Sequence, residues 1–420
     1  MTMQSLNRTQ IARQNKPRML DQFAKRRVLQ QLKNITVGRL IIEDDSEIAY
    51  FGDADAAPEY HAHIIVNSAS AYRSFMLAGS IGAAEAFMAG TWSSPNLTAL
   101  TRLMCANLNL LNHVDSTGFG LGRLLEKLYH WSRRNTEDNA RANIAAHYDL
   151  SNPFFSLFLD PTMMYSAARF ASKNTTLEEA SLAKIDNICQ KLALTENDHL
   201  LEIGSGWGAL AIYAARHYGC RVTTTTLSAE QYQHTCQQVT LAGLDHRVTV
   251  LCQDYRKLSG SYDKLVSIEM IEAVGHEYYR EYFTRCAQLL KPHGLMLLQA
   301  ITIPDQRYQY ARDSVDFIQK YIFPGGCLPS DREITSQISR HTDLQMISME
   351  EIGEDYALTL AHWRQRFNSQ LNEVKALGFS DTFIRMWQYY LSYCEGGFSK
   401  RVIGTGQFLL SKPQWRISYR

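Results

Sequence analysis

The stretch "HLLEIGSGWGALAIYAARH", His199 to His217, decides how this chain is read. A short apolar run, His199–Ile203, gives way to glycine at 204, 206 and 208, and apolar residues at helical spacing follow from Ala209. That is a buried strand, a tight turn and a helix. Glycines in such a turn let the main chain approach a ligand closely. The spacing is G-x-G-x-G rather than the G-x-G-x-x-G of dinucleotide folds, and Glu202 stands one residue inside the strand. The next strand, Arg221–Thr226, runs into "LSAEQ" with no acid before Glu230, where a dinucleotide site places an acid for the ribose hydroxyls. Both features favour S-adenosylmethionine over NAD.

Working outward, strands are expected at Val248–Gln253, Lys264–Ile268 and Leu295–Ile303, alternating with helices at Ala209–His217, Ala229–Ala242 and Glu277–Leu290. This alternation is the signature of a parallel α/β sheet. A long helical insertion follows Ile303, and closing strands are expected near Gln345–Ile352 and Val402–Leu410. Asp254 follows the third strand in "LCQDYR", where its carboxylate can accept from an adenine amino group with Tyr255 packed beside it. An Asp that merely caps a turn is the plain alternative. The fourth strand leaves the core in "SIEMIEAVGHEYY", which sets Glu269, Glu272 and His276 at the carboxyl edge where open α/β sheets bind ligands.

At 420 residues the chain is long for one domain, and two are expected, 1–135 and 136–420. The first mixes short β-like runs, "IAYFG" and "AHIIVN", with helical stretches around "SIGAAEAFMAGTW" and "LTALTRLMCANLNLL". The glycines and charges of 116–143 read as the passage between domains. A net charge of +1 gives no global pull toward nucleic acid or membrane. One local patch does exist: between Arg8 and Arg39 nine Lys or Arg stand against the single acid Asp21, with Leu20, Phe23, Val28, Leu32 and Ile35 near helical spacing. This reads as a basic amphipathic helix, with a solvated helix docked on its own domain as the alternative. The chain shows neither a signal-peptide run at its start nor the ~18 uncharged apolar residues of a spanning helix. Its eight cysteines include no C-x-x-C pair, which argues against zinc or a disulfide framework and for a reducing compartment, the cytoplasm.

Six motifs occur in order: "HYDLSNPFFSLFLDPTMMYS", "EIGSGWG", "TLSAEQ", "QDYR", "KYIFPGGCLPS" and "YYLSYCEGGF". With them the chain resembles the cyclopropane-fatty-acyl-phospholipid synthases over about residues 143–412. The resemblance implies a Rossmann-like class I methyltransferase sheet with helical insertions, preceded by a smaller mixed α/β domain that associates with lipid. It also implies methyl transfer from S-adenosylmethionine to the double bond of an unsaturated acyl chain in a phospholipid. The cofactor residues it points to are Tyr165, Ser166, Gly204, Gly206, Thr226, Ser228, Gln231, Asp254 and Tyr255, to which the glycine turn adds Glu202. Ser228 and Gln231 have plain readings as a helix cap and a first-turn polar residue. The family is thought to use bound bicarbonate as the base, held by residues that correspond to Glu272 and Tyr356, and Cys394 matches a cysteine discussed as an active-site thiol. His276 reads as structural, and the aromatics Tyr165, Phe170, Tyr321 and Phe323 suit either an acyl tunnel or the core.

Two departures stand out. Ala167 occupies the Cys position of "YSCAY", and Gln299 the His position of "LLHTI". Gln299 can donate a hydrogen bond but cannot carry a proton as imidazole does, so the expected unit pairs Glu272 with Gln299 on neighbouring strands, and the expected product is a cyclopropane ring, with a methyl-branched or methylene chain as the alternative. A methyltransferase for a small soluble acceptor and a non-catalytic lipid-binding protein are the competing classes. The basic N-terminal helix argues against the first, missing S-adenosylhomocysteine production would mark the second, and lipid analysis separates the ring from the branched or methylene product. The expected setting is the inner face of a membrane, bound peripherally, as a monomer or a homodimer, without nucleic acid.

Overall fold

The computed structural model describes residues 19–45, 47–110 and 150–416. The chain divides into two compact units, Met1–Gly122 and Arg123–Arg420. The boundary expected near 135 and the passage at 116–143 lie outside the described residues, as does Arg18.

The first unit runs α1 (Met19–Leu32), β1 (Arg39–Glu43), β2 (Ile48–Gly52), β3 (His61–Val66), α2 (Ser70–Met88), β4 (Trp92–Ser93) and α3 (Leu97–Ala106). Its sheet has the order β2-β1-β3-β4, with β1 and β3 parallel and the other pairs antiparallel. The alternate residues Leu40 and Ile42 of β1 and Ala62, Ile64 and Val66 of β3 are buried, as expected for a sheet with one face covered.

Helix α1 takes one residue, Lys25, out of the expected basic face. Asp21 and Ala24 are its buried residues, Arg73 reaches Asp21 at 3.3 Å, and Lys25 pairs with Asp44 at 2.7 Å and Glu47 at 2.9 Å. Lys25 therefore belongs to an internal ion cluster and not to an open cationic surface. The exposed positions include Met19, Leu20, Phe23, Arg26 and Arg27, with Gln22 and Gln30 beside them.

The second unit carries a sheet of order β10-β11-β9-β8-β5-β6-β7. Its strands are β5 (His199–Ile203), β6 (Arg221–Thr226), β7 (Val248–Cys252), β8 (Tyr262–Ile268), β9 (Leu290–Thr302), β10 (Gln345–Glu351) and β11 (Gly404–Ser411). Neighbouring strands are parallel except where β11 runs antiparallel to both β9 and β10. Helices α4 (Asn152–Ser156), α5 (Leu177–Lys191), α6 (Ala209–His217), α7 (Ala229–Leu241) and α8 (Tyr279–Leu289) precede or separate the parallel strands, and α9 (Asp305–Arg312), α10 (Phe317–Tyr321) and α11 (Asp331–His341) form the insertion after β9.

Two apolar clusters among the described residues pack the sheet against its helices. One joins Leu265, Met296 and Leu298 to Tyr279, Tyr282 and Phe283 of α8, and the other joins Leu200, Val222, Val266 and Leu297 to Ile185 and Ile188 of α5 and Leu210 and Ala214 of α6. Between β10 and β11 come α12 (Gly353–Ser369), α13 (Leu371–Ala376) and α14 (Asp381–Ser399). Arg364 of α12 holds the buried Glu395 of α14 at 2.7 Å, so the "CEGG" carboxylate ties two helices together. Phe154 and Phe155 of α4 pack edge-on against Trp387 of α14, the adjoining Phe158 lies tilted against it, and Phe158 also meets Trp363 and Phe367 of α12. Such a wall of rings is rigid and apolar.

Candidate active site

The glycine turn lies at the carboxyl end of β5. Gly204 and Ser205 donate their N–H groups to Thr225 O at 3.0 and 2.9 Å, which pins the turn to β6. Gly206 has φ +50°, and a Cβ there would meet no described protein atom within 4 Å. Open space beside a turn of this kind is where a ligand fits. Gly208 has a different duty: at φ +92° its Cβ would stand 2.8 Å from Thr235 Cγ2 of α7.

Around the turn, Thr226 Oγ1 donates to Gln231 Oε1 at 2.8 Å and Ser228 Oγ accepts from Gln231 N at 3.2 Å as the N-cap of α7. All three residues are buried. The plain capping role of Ser228 is thus present whatever else it does. Asp254 caps a short 3-10 turn and takes a two-pronged contact from Arg256, at 2.9 and 2.7 Å. Burial acts to raise its pKa, but the Arg256 hydrogen bonds and charge outweigh that and hold the carboxyl below its ordinary range. Tyr255 packs edge-on to Tyr282, 5.5 Å between centroids, so its ring belongs to the core rather than to an exposed stacking surface.

Glu202 faces Thr224 across β5 and β6 and accepts its hydroxyl at 2.6 Å. Burial pushes the Glu202 carboxyl up to about 8, against the Thr224 bond and the charge of Lys184. Lys184 was not visible as a site residue in the sequence. It sits fully buried on α5 and donates to Ser166 Oγ at 2.8 Å, leaving the Ser166 hydroxyl proton to point elsewhere. Burial pushes the Lys184 ammonium down to about 8 despite the pull of Glu269, Asp160 and Glu202. Tyr165 hydrogen-bonds Tyr390 at 2.8 Å between hydroxyls and lies over Trp363, 5.1 Å away. Phe323 also meets Tyr390, whereas Phe170 stacks on His362 and Tyr321 packs on Phe317.

The expected partnership of Glu272 with Gln299 is corrected. Strands β8 and β9 are neighbours, with Ile268 in register with Gln299, but the amide of Gln299 donates to Glu269 Oε1 at 2.7 Å. Glu269 also receives Ala167 N–H at 3.0 Å and the Tyr356 hydroxyl at 2.7 Å. Its own N–H donates to Gln299 O at 2.7 Å, and its φ of +48° is unusual for a residue with a side chain. The backbone turns sharply as the strand ends, and that turn aims the carboxylate between Ala167, Gln299 and Tyr356. Glu272, in the 3-10 turn Ile271–Ala273, accepts from Ile301 N through Oε1, and its buried Oε2 has no partner among the described residues.

Of the residues expected to hold bicarbonate, Tyr356 therefore meets, with Gln299 and the Ala167 N–H, a carboxylate the chain already supplies, while Glu272 stands apart. Burial raises the Glu269 pKa, opposed by the Ala167, Tyr356 and Gln299 hydrogen bonds and by the charge of Lys184. Glu272 is pushed up to about 8, first by burial and then by the charge of Glu269. The sequence did hold a signal for Glu269: it is the first residue beyond a central parallel strand, at the edge where ligands bind. Cys394 lies half-buried on α14, close enough to Tyr356 to affect its ionisation.

With this geometry in view, the family model for mycolic acid cyclopropane synthetase matches residues 135–408. The chain belongs to that family. It is 39% identical over 350 residues to the tuberculostearic acid methyltransferase UfaA1 of Mycobacterium tuberculosis, covering 79% of each chain. It is 38% identical over 357 residues to the cyclopropane-fatty-acyl-phospholipid synthase of Escherichia coli K12, covering 84% of this chain and 88% of the relative. Among solved structures it resembles mycolic acid cyclopropane synthase CmaA1 complexed with SAH and CTAB, at TM-score 0.61 and 34% identity over 65% of this chain and 98% of that one. The seven-stranded sheet is thus that of an S-adenosylmethionine-dependent methyltransferase, and this cyclopropane synthase relative uses that cofactor. The open space at Gly206 and the polar groups around it suit such a molecule.

Proposed function

We propose that this enzyme methylates the double bond of an unsaturated acyl chain in a membrane phospholipid and that Glu269 takes the proton released afterwards. The observation that carries this reading is the convergence of Ala167 N–H, Gln299 and Tyr356 on the Glu269 carboxylate. S-adenosylmethionine, when bound, supplies an electrophilic methyl group. An alkene is a weak nucleophile, so the residues around the crevice must exclude water and fix the two partners in line. The Gly204–Gly208 turn, Tyr165, Ser166, Thr226, Ser228, Gln231 and Asp254 are the groups that would hold the cofactor, with Glu202 and Lys184 beneath them.

Addition of the methyl group to one alkene carbon leaves positive charge on the other. The ring of Tyr356, stacked 4.4 Å from Phe398, and that of Tyr165 present electron-rich faces suited to it. A C–H bond of the new methyl then breaks, its electron pair closes the third C–C bond of a ring, and the proton passes to Glu269. No bicarbonate step is needed, because its donors already serve Glu269.

A second reading has support from Ala167, Gln299 and Glu269 together, all at or beside the expected anion site. Here a 1,2-hydride shift precedes proton loss and the product is a methylene chain. A saturated methyl branch would need a further hydride from a separate reductant. Mass spectrometry of lipids from cells expressing the chain tests the reading: a new acyl species heavier by one CH₂ is expected, and proton NMR separates ring from methylene. Unaltered phospholipids alongside methylation of a soluble amine would overturn it.

A further inference from the structure

Two glutamines sit where a sheet normally buries apolar side chains. Gln299 of β9 is 0% exposed and Gln407 of β11 is 2% exposed, and they are register partners. Gln407 Nε2 donates to Gln299 Oε1 at 2.9 Å, and Lys191 Nζ, at the end of α5, donates to Gln407 Oε1 at 2.6 Å. Lys191 also contacts Glu350, the register partner of Gln407 on β10, and Glu350 is held in turn by Arg169 at 2.9 Å. A continuous line of contacts thus crosses three strands from a partly exposed ammonium to Glu269.

The direction of that line is fixed by its ends. An ammonium can only donate, so Gln407 must turn its carbonyl to Lys191 and its NH₂ to Gln299. Gln299 must then turn its carbonyl to Gln407 and its NH₂ to Glu269. Without the ammonium each amide could reverse, and a reversed Gln299 would present an oxygen that only a protonated Glu269 can satisfy. A buried amide pair offers little net stability over well-packed apolar residues, so orientation is the property it adds.

We propose that Lys191 and Gln407 are positioning residues: they polarise an amide relay that holds the Gln299 NH₂ toward Glu269 and keeps that carboxylate ready to accept a proton. The proposal rests on the reading of Glu269 as the base. Other charged or titratable groups facing Glu269 are Lys184 from α5, Glu272 from the 3-10 turn and Tyr356 from α12. All of them stay in place in the variants below, and Gln407→Leu leaves the charge unchanged, so its shift can be ascribed to the relay.

The test uses the full chain, S-adenosylmethionine and vesicles of an unsaturated phospholipid, with kcat followed against pH. Gln407→Leu changes no charge, yet it releases Gln299. Its acidic limb is expected to move up by about half to one pH unit, with kcat several-fold lower on the acid side and recovering at high pH. Gln407→Glu reverses the acceptor and should move the limb further, while Lys191→Arg keeps the parent profile. The KM for S-adenosylmethionine should stay within about twofold in all three. Infrared titration of the cofactor-free protein, with the Glu269 band assigned by its loss in Glu269→Gln, gives the same shift without turnover. Limbs and infrared titrations of both Gln407 variants that coincide with the parent would overturn the relay. If instead Glu269→Gln keeps parent turnover, the base assignment fails, and the infrared shift still decides whether the relay acts on Glu269.

Discussion

Glu269 and Glu272 stand three residues apart, yet the fold treats their carboxyls in opposite ways. Glu269 receives a backbone N–H, an amide and a phenol, whereas Glu272 receives one backbone N–H and keeps a buried oxygen without a partner among the described residues. Hydrogen bonds to the charged form favour ionisation, and burial without them favours the neutral acid. At Glu269 the hydrogen bonds oppose the rise that burial causes, whereas at Glu272 burial and the charge of Glu269 push the carboxyl up to about 8 against one backbone N–H from Ile301. Glu269→Gln is expected to cut kcat by about 10²–10⁴ with cofactor affinity retained, while Glu272→Gln should cost less than about tenfold. Side-by-side single-turnover rates check the contrast, and equal losses in both variants would remove the distinction.

The neutral Glu272 also makes stability depend on pH. Its folded pKa is pushed up to about 8 from an ordinary 4.5. Below 4.5 both states are protonated and nothing is lost. Between there and about 8 the unfolded chain ionises while the folded one does not, so stability falls as pH rises. Glu202 acts in the same direction and is unchanged in the variant. Glu272→Gln should therefore raise Tm over the parent by a few degrees at pH 8 and by little at pH 4.5, as read by calorimetry of the cofactor-free protein. A Tm difference independent of pH would show that Glu272 ionises normally in the fold.

Much of the methyltransferase unit could be read from its pattern. Apolar runs bounded by turn residues placed β5, β6 and α6 to the residue, and with them the G-x-G-x-G turn between β5 and α6. Parallel strands buried on both faces leave a strong signal of this kind. The first unit was harder, since β1 and the two-residue β4 depend on partners that local sequence does not name. At the site, neighbouring β8 and β9 were anticipated, but the left-handed turn at Glu269 was not, and it decides which carboxylate meets Gln299. The Lys191 to Gln407 contact joins residues 216 apart, and neither has a local feature that marks it.

Gly206 and Gly208 look alike in sequence and should fail differently. A side chain at Gly206 meets no described protein atom, so Gly206→Val is expected to lose some stability to its φ of +50° yet remain folded, and to lose S-adenosylmethionine binding. At Gly208 a Cβ collides with Thr235 and needs φ +92°, so Gly208→Ala should lose stability, on the order of 1–3 kcal/mol. Calorimetric binding together with thermal melts separates the two, and a folded Gly206→Val protein with parent affinity would move the cofactor elsewhere.

The outward face of α1 joins Met19, Leu20 and Phe23 to Arg26 and Arg27, which suits the boundary of an anionic bilayer. Cations near such a surface contribute about 1 kcal/mol each. Arg26→Gln with Arg27→Gln should lower affinity for anionic vesicles by at least about tenfold at low salt, and Phe23→Ser should weaken it at every salt concentration. Lys25→Gln should leave vesicle affinity within about twofold, because Lys25 is engaged with Asp44 and Glu47, and should instead lower stability by about 1 kcal/mol. Sedimentation with vesicles at two salt concentrations checks all three, and equal effects from Lys25 and the arginine pair would contradict the assignment of faces.

Removing the Glu269 side chain altogether gives the most direct test of what it replaces. Glycine accepts φ +48° without the steric cost a side chain bears there, which offsets part of what Glu269→Gly loses by leaving three buried donors without their acceptor. The donors left behind, Ala167 N–H, Gln299 Nε2 and Tyr356 OH, point into a space the size of a carboxylate. Lys184 adds positive charge nearby. A small oxyanion such as bicarbonate or formate can accept the same three hydrogen bonds and take the proton in place of the tethered group. Turnover by Glu269→Gly should be about 10²–10⁴ below the parent and should recover at least tenfold, with saturation, as bicarbonate or formate is added. Chloride at equal ionic strength should not restore it, since it offers one centre in place of two oxygens. The parent enzyme, with its own carboxylate in position, should show no bicarbonate dependence at all.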